Sequence, residues 1–498
     1  MKESEMPETE QFTVDIYFSD FFEVSPVVLE SYGAFNVSLI NDLPLFIDPF
    51  LLFNSKKPEY RTLHDEMIRY VRFLRDKAAR GNLDAGLIDA WFTFREVKQN
   101  WLGFSKNGNN GSGLGSDFAR ALHNNLNTVF KSFGEETVTK GSHLEKLTLI
   151  RGGVGKDNIS DFTTTLIKRY LLEYTQAFAR QNIRTELRRS PTVPKVSFNY
   201  ETESWESGIF ELPVRSGDFV ILTPKDMLTK DETWINRPDL LQHFEEIAES
   251  LPNASLRALV NNYLRQQLPK KPKREEITEA KVQTIQRYPE IIEHYIRNRE
   301  NDGDQAQSVS RLKVRQTEIV FIEQVKSLVA TLQTYTSFYS TQGDTYAEAR
   351  ERVGFLKDVI ENKDGYRFFW HDGQPIRKEG DLQILYRLTW YGTSSDINRE
   401  VNNGRGPADF KASRGAFDKS LVELKLASNS KLKQNLQNQV LIYQKASDAT
   451  RALKVILYFT AAELEKVRSI LKELKLFDSE DIILIDSRRD NKPSASNV

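Results

Sequence analysis

Asp409, Glu423 and Lys425 are the side chains of this sequence whose types and spacing suit chemistry. Asp409 closes the run Gly404-Arg405-Gly406-Pro407-Ala408, a tight and poorly helical approach. Residues 421–426, Leu-Val-Glu-Leu-Lys-Leu, read as a buried strand with two charges where an apolar strand should carry none. Strand side chains alternate, so Glu423 and Lys425 point one way while Leu424 and Leu426 point into a core. A turn around Arg414-Gly415 and Asp418-Lys419 folds the Asp409 segment back beside the Glu423 strand. Two carboxylates and one ammonium then share a surface, which is a site for a hard divalent cation with a lysine next to it. Magnesium (or manganese) at such a site neutralises a phosphate oxygen and yields hydroxide near neutral pH. The chemistry expected is phosphodiester hydrolysis. Asp409 and Glu423 are the expected metal ligands, with the Leu424 carbonyl, and Lys425 is expected to hold or deprotonate the attacking water and stabilise developing charge. The plainer alternative is a salt bridge on an edge strand with Asp409 in a turn. The flanking leucines and valine argue instead for a central strand, where an unpartnered carboxylate is costly.

Basic residues surround the acidic pair in sequence: Arg405, Lys411, Arg414, Lys419, Lys431 and Lys433. A basic rim around a carboxylate centre suits a nucleic-acid cleft, because phosphate contacts supply most of the affinity. The elements that must position these groups follow from the pattern. They are a strand over 366–370 with a hairpin turn at His371-Asp372-Gly373, and a helix over 381–390 with Glu379 and Asp381 at its start. Then come a strand over 397–401, the two segments already described, a helix over 431–446, a strand over 452–459, a helix over 462–474 and a strand over 481–485. Helix, three strands, helix, strand is the order of an α/β core with a mixed sheet.

Asp409 followed by Glu423-Leu424-Lys425 resembles the PD-(D/E)XK nuclease signature, with Pro407-Ala408-Asp409 departing from a Pro and Asp in adjacent positions. Gln439-Val440-Leu441-Ile442-Tyr443 resembles the Gln-x-x-x-Tyr element of the exonuclease-like branch, and residues four apart share a helix face. The resemblance covers residues 365–488 and implies a restriction-endonuclease-like fold there. It implies that Gln439 and Tyr443 orient the site or touch the substrate backbone. It also implies a further carboxylate, for which Glu379, Asp381 and Glu400 compete. DNA is the favoured substrate and RNA the alternative. A nuclease domain behind a large N-terminal region further implies a bacterial restriction or antiviral-defence effector.

At 498 residues the chain exceeds one compact core. The division expected is an N-terminal α+β recognition or sensor domain (1–268), a charged helical linker or arm (269–345) and the nuclease-like domain (346–498). A net charge of −1 means that any nucleic-acid surface is a local patch. The absence of cysteine excludes disulfide frameworks, thiolate zinc sites and cysteine nucleophiles. The acidic, polar start is no signal peptide, and the apolar stretch 43–53, broken by Pro44, Asp48 and Pro49, is too short for a bilayer. A cytoplasmic protein without membrane contact is expected.

In the N-terminal part the pattern gives a strand over 12–18, helices over 60–80, 87–97, 117–130 and 159–180, and β-rich sequence over 195–222. Helices over 239–250 and 254–267 follow. Gly152, Gly153, Gly155 and Lys156 fall short of a phosphate loop. Ile150 replaces its first glycine and Asp157 its hydroxyl residue, so a helix-capping turn is expected. Pro269-Lys270-Lys271-Pro272-Lys273-Arg274 marks a boundary, read as a solvated linker or as a phosphate contact. Charged helices over 275–299 and 309–339 resemble a spacer or docking arm, offering a surface for a partner protein or self-association. A non-catalytic binding or scaffold protein built on those helices is the competing function. The six histidines show no metal-ligand spacing. Trp205, Trp234, Trp370 and Trp390 are expected in the core.

Overall fold

The computed structural model describes residues 14–80, 83–103, 133, 136–150, 155–340, 343–371, 373–390, 396–398, 410–414, 418–437 and 451–492. They form an N-terminal mixed α+β region, a helical region, and a C-terminal α/β region around a mixed five-stranded sheet.

Near the start, the strand expected over 12–18 gives way to a turn into the short helix Phe18–Phe21; residues 12 and 13 lie outside the described residues. Asp20 Oδ2 accepts the N–H groups of Ile16 (3.2 Å) and Tyr17 (3.0 Å), so a side chain takes donors that a strand ladder would use. Strand β1 (Leu45–Ile47) follows, then helix α1 (Pro58–Arg80). Tyr60, Leu63, Met67, Tyr70, Val71, Leu74 and Ala78 are buried on α1, the three-and-four spacing of one apolar face. The helix expected over 87–97 stops at Phe92, because Thr93 extends the chain and lets Phe94 and Val97 into the core. The stretch read as 159–180 is two helices, α2 (Lys156–Leu166) and α3 (Lys168–Asn182), with Gly155 capping α2. Strands β2 (Thr192–Asn199) and β3 (Ser204–Ile209) form an antiparallel pair, and β4 (Leu228–Lys230) returns antiparallel to β1.

In the helical region, the segment read as 275–299 breaks into α4 (Arg274–Arg287) and α5 (Glu290–Asn301). Tyr288 precedes a proline, which disfavours helical backbone, and it sits at φ −127°, ψ 77°. Ile291, Ile292, Tyr295 and Ile296 of α5 pack with Phe50, Leu240, Phe244 and Leu251 in a separate apolar cluster. Helix α6 (Gly303–Glu318) runs through a π turn at Ile319–Glu323 into α7 (Gln324–Tyr335). Val314, Phe321, Val325 and Leu328 of this rod join the largest core, which continues without a break from Tyr17, Phe35 and Leu45 to Val353, Leu385 and Leu424. Both helical stretches therefore bury one face in the molecule.

The C-terminal region begins with α8 (Thr345–Asn362). The strand expected over 366–370 is a 3-10 turn (Gly365–Phe369); only Trp370–His371 pairs, with Gln374–Pro375, around Gly373 at φ 74°. Helix α9 (Glu379–Trp390) leads to strands β5 (Asp396–Asn398), β6 (Phe410–Arg414) and β7 (Asp418–Leu426). Strand β8 (Arg451–Tyr458), helix α10 (Ala461–Glu473) and strand β9 (Ile482–Asp486) complete it. The sheet runs β5-β6-β7-β8-β9, antiparallel through β7 and parallel from β7 to β9. One face, with Val422, Leu424, Leu426, Val455 and Leu457, meets Val353, Leu356 and Val359 of α8. The other, with Ala427, Ile456 and Tyr458, is covered by Leu432 and Leu436 and by Val467 and Leu471 of α10. Burial on both faces explains why β7 and β8 read as near-continuous apolar runs. Among the described residues no helix is long and apolar enough to cross a membrane.

Candidate active site

Strand β7 is central and fixes the candidate site. Phe410 pairs with Val422 on one side, and Glu423 pairs with Lys454 of β8 on the other. Paired residues of neighbouring strands share a face, so Glu423, Lys425 and Lys454 stand together, opposite Leu424 and Leu426. All three charged residues are only 6% exposed.

Lys425 Nζ lies 3.3 Å from Glu423 Oε1 and 3.8 Å from Glu379 Oε2. The ammonium thus has a carboxylate from its own strand and another from the first turn of α9. Glu379 is held in place: its Oε1 accepts from Asn429 Nδ2 (2.6 Å) and from the Leu426 amide (3.4 Å). Asn429 in turn accepts the Lys431 amide (2.7 Å), and Lys466 Nζ donates to the carbonyls of Ala427 (2.8 Å) and Asn429 (3.0 Å). The turn after β7 is therefore clamped from α10. Glu423 Oε1 is buried with no hydrogen-bond donor aligned on it among the described residues. Its nearest charge is Lys425 Nζ at 3.3 Å, and a hard cation is a further partner that suits a buried carboxylate oxygen. Lys454 Nζ donates to the Leu436 carbonyl (3.2 Å). Burial lowers its pKa, opposed by the nearby charges of Glu423 and Asp481.

The three candidates for an additional carboxylate separate. Glu379 faces Lys425. Asp381 instead lies 3.5 Å from Lys230 of the N-terminal region, and burial raises its pKa against the pull of Lys230 and Lys378. Glu400 lies outside the described residues, as do Asp409, Arg405, Gln439 and Tyr443. Of the basic rim, Lys411 and Arg414 belong to the backbone of β6 and Lys419 to that of β7. Lys431 is exposed at the turn after β7, while Lys433 pairs with Glu473 of α10. Leu424 turns its side chain into the opposite core. Among the described residues no group of three His, Asp or Glu side chains is placed to hold a metal ion.

Two partners in this cluster escaped the sequence reading. Lys454 carried the same signal as Glu423, a charge inside an apolar strand, within Arg-Ala-Leu-Lys-Val-Ile-Leu-Tyr. Asn429 carried none, since its role depends on a turn meeting the start of α9.

Residues 345–461 match a family model described as a domain of unknown function, DUF8371. A second domain of unknown function, DUF8370, matches residues 23–236. No curated protein matches the chain, and no solved structure does. The DUF8371 stretch contains Glu379, Glu423, Lys425 and Lys454. The helices from α4 to α7 lie between the two matched stretches.

Proposed function

We propose that the C-terminal region is a divalent-metal-dependent nuclease of restriction-endonuclease-like fold, hydrolysing phosphodiester bonds, with DNA as the first substrate to test and RNA the alternative. The observation that carries this reading is the Lys425 ammonium between the Glu423 and Glu379 carboxylates on a central strand. The antiparallel run β5-β6-β7 followed by parallel β8 supports it, as the order of elements that the resemblance implies. Asp409 directly precedes Phe410, whose partner Val422 adjoins Glu423.

Glu423, whose buried Oε1 lies 3.3 Å from Lys425 Nζ, is the residue that would hold magnesium, together with Asp409 and the Leu424 carbonyl. Bound there, the metal would supply charge neutralisation at a phosphate oxygen and a more acidic water. Lys425 would then orient that water and meet the charge that develops as the bond breaks. Glu379 would keep Lys425 aimed.

A second reading is favoured by burial. With side chains only 7% and 8% exposed, Lys425 and Glu423 could serve as an internal ion pair that fixes strand register. Magnesium-dependent cleavage of duplex DNA, single-stranded DNA and RNA separates the two. The nuclease reading expects cleavage that Lys425→Ala and Asp409→Ala both abolish. Cleavage that survives both changes, or none on any of the three substrates with magnesium or manganese, leaves the ion-pair reading standing.

A further inference from the structure

Far from β7, a cavity of about 480 Å³ lies between the N-terminal region and α6. Pockets that enclose small ligands run from ~300 to ~1,000 Å³. One wall is aromatic, made by Tyr32, Tyr60, Tyr170 and Tyr174. The rings form a connected series: Tyr32 and Tyr174 are 4.5 Å apart, Tyr174 and Tyr170 stack at 6.2 Å, and Tyr170 meets Tyr60 edge-on at 6.0 Å. Hydrogen bonds lock this wall. Tyr32 donates to the Tyr174 carbonyl (2.8 Å), Tyr174 to the Tyr32 carbonyl (3.0 Å), and Tyr60 to Asp226 (2.7 Å). Burial raises the pKa of Tyr60, Tyr170 and Tyr174, so their hydroxyls stay neutral.

Facing them is α6, where Gln307, Arg311 and Arg315 recur every four residues and so share a side of the helix. The charges in the lining are largely satisfied by one another. Lys57 pairs with Asp226 (2.6 Å), Lys225 with Glu30 and Glu318, and Arg315 with Glu323 (2.6 Å). Arg311 is the exception: it is exposed and makes no ion pair among the described residues. With Glu323 counted beside Arg315, the charges around the cavity balance, and Arg311 is the lining cation whose charge no carboxylate meets directly among the described residues. The π turn Ile319–Glu323 begins one residue past Glu318 of the lining, and such irregularities often accompany functional sites.

An aromatic wall, one uncommitted guanidinium and a nearby carboxamide together describe a ligand: a flat ring with polar edges, bearing an anion. We propose that this cavity binds a mononucleotide, its base against the tyrosines, its phosphate on Arg311 and its base edge on Gln307. A quaternary ammonium, which aromatic cages also take, is disfavoured by the uncommitted guanidinium of Arg311. This inference does not rest on the nuclease reading, since the cavity shares no residue with the β7 cluster.

The test is calorimetric titration of the full-length protein with AMP, GMP, CMP and UMP. Adenosine and inorganic phosphate serve as half-ligands and choline as the cationic control. At least one nucleotide is expected to bind saturably and more tightly than either half-ligand. Arg311→Ala should weaken it about tenfold, the size of one charge-assisted contact. Arg311 is exposed, so that variant keeps its fold, which circular dichroism checks; Tyr170→Ala is a second variant expected to weaken binding. No binding by any of the four nucleotides, unchanged affinity in Arg311→Ala, or choline binding more tightly than every nucleotide would overturn the assignment.

Discussion

The Lys425 ammonium lies 3.3 Å from the carboxylate of Glu423, two residues earlier on the same buried strand. Removing one member of a buried pair strands the other, at ~3–5 kcal/mol, whereas replacing both with apolar groups of similar volume is often neutral. Glu423→Ala should therefore lower stability by about 3 kcal/mol, near the low end because Lys425 keeps Glu379 at 3.8 Å. The double change Glu423→Leu with Lys425→Met should recover most of that loss. Urea denaturation of the two variants beside the parent measures it, and under the proposed function neither variant cleaves nucleic acid.

Glu379 and Asp381 sit two residues apart at the start of α9 yet face different partners, Lys425 and Lys230. Glu379→Gln keeps an oxygen for Asn429 but removes the charge beside Lys425. Under the proposed function its cleavage rate should fall by about ten- to a hundredfold, a typical effect for a group that would act through a catalytic residue. Asp381→Asn should change the rate much less and act instead on thermal stability, through the contact with Lys230. A steeper loss of rate in Asp381→Asn than in Glu379→Gln would reverse these roles.

The contrast between these two carboxylates shows how far the sequence reaches. Glu423 and Lys425 were legible because charges inside Leu-Val-Glu-Leu-Lys-Leu break an apolar strand pattern. Strand alternation then put both on one face, as the register of β7 has it. Nothing local told Glu379 from Asp381, since that choice depends on where α9 meets the turn at Asn429 and on where Lys230 falls in β4. The failures at 12–18 and 366–370 have local physical causes. At the first, Asp20 takes the backbone donors of Ile16 and Tyr17. At the second, Asp364 adopts φ 60° and Gly365 packs against the end of α8, which tightens the chain into a 3-10 turn before any strand begins. The tyrosine cavity was beyond reach, because its walls come from segments more than a hundred residues apart.

Asp161 on α2 supplies a pH prediction away from the candidate site. Burial raises its pKa to about 8, and the charges of Glu96 and Asp157 push the same way. A carboxyl whose folded pKa lies above its unfolded value holds its proton more tightly in the native state. Its contribution to stability is therefore full below about pH 4 and is lost as pH rises toward 8. Asp161→Asn keeps the neutral form at every pH. The variant should melt higher than the parent at pH 8, with the gap closing as pH falls to 5. A melting difference that grows on acidification would have the wrong sign for this account.

Gly365 ties α8 to the hairpin that follows it. An added Cβ there would stand 2.6 Å from the Val359 carbonyl oxygen and 2.8 Å from its carbon. Both are backbone atoms of a helix whose Val359 and Ile360 are fully buried, so neither can retreat as a side-chain tip could. Overpacking of this kind costs ~1–3 kcal/mol. The gain from replacing glycine by alanine through the unfolded chain is smaller, ~0.4–1 kcal/mol. Gly365→Ala should therefore be net destabilising by about 1–2 kcal/mol, read as a lower denaturation midpoint at unchanged slope. Because α8 packs on β7, β8 and β9, the loss should come with faster hydrogen exchange in those strands. An unchanged midpoint would mean that the last turn of α8 moves aside more readily than its burial indicates.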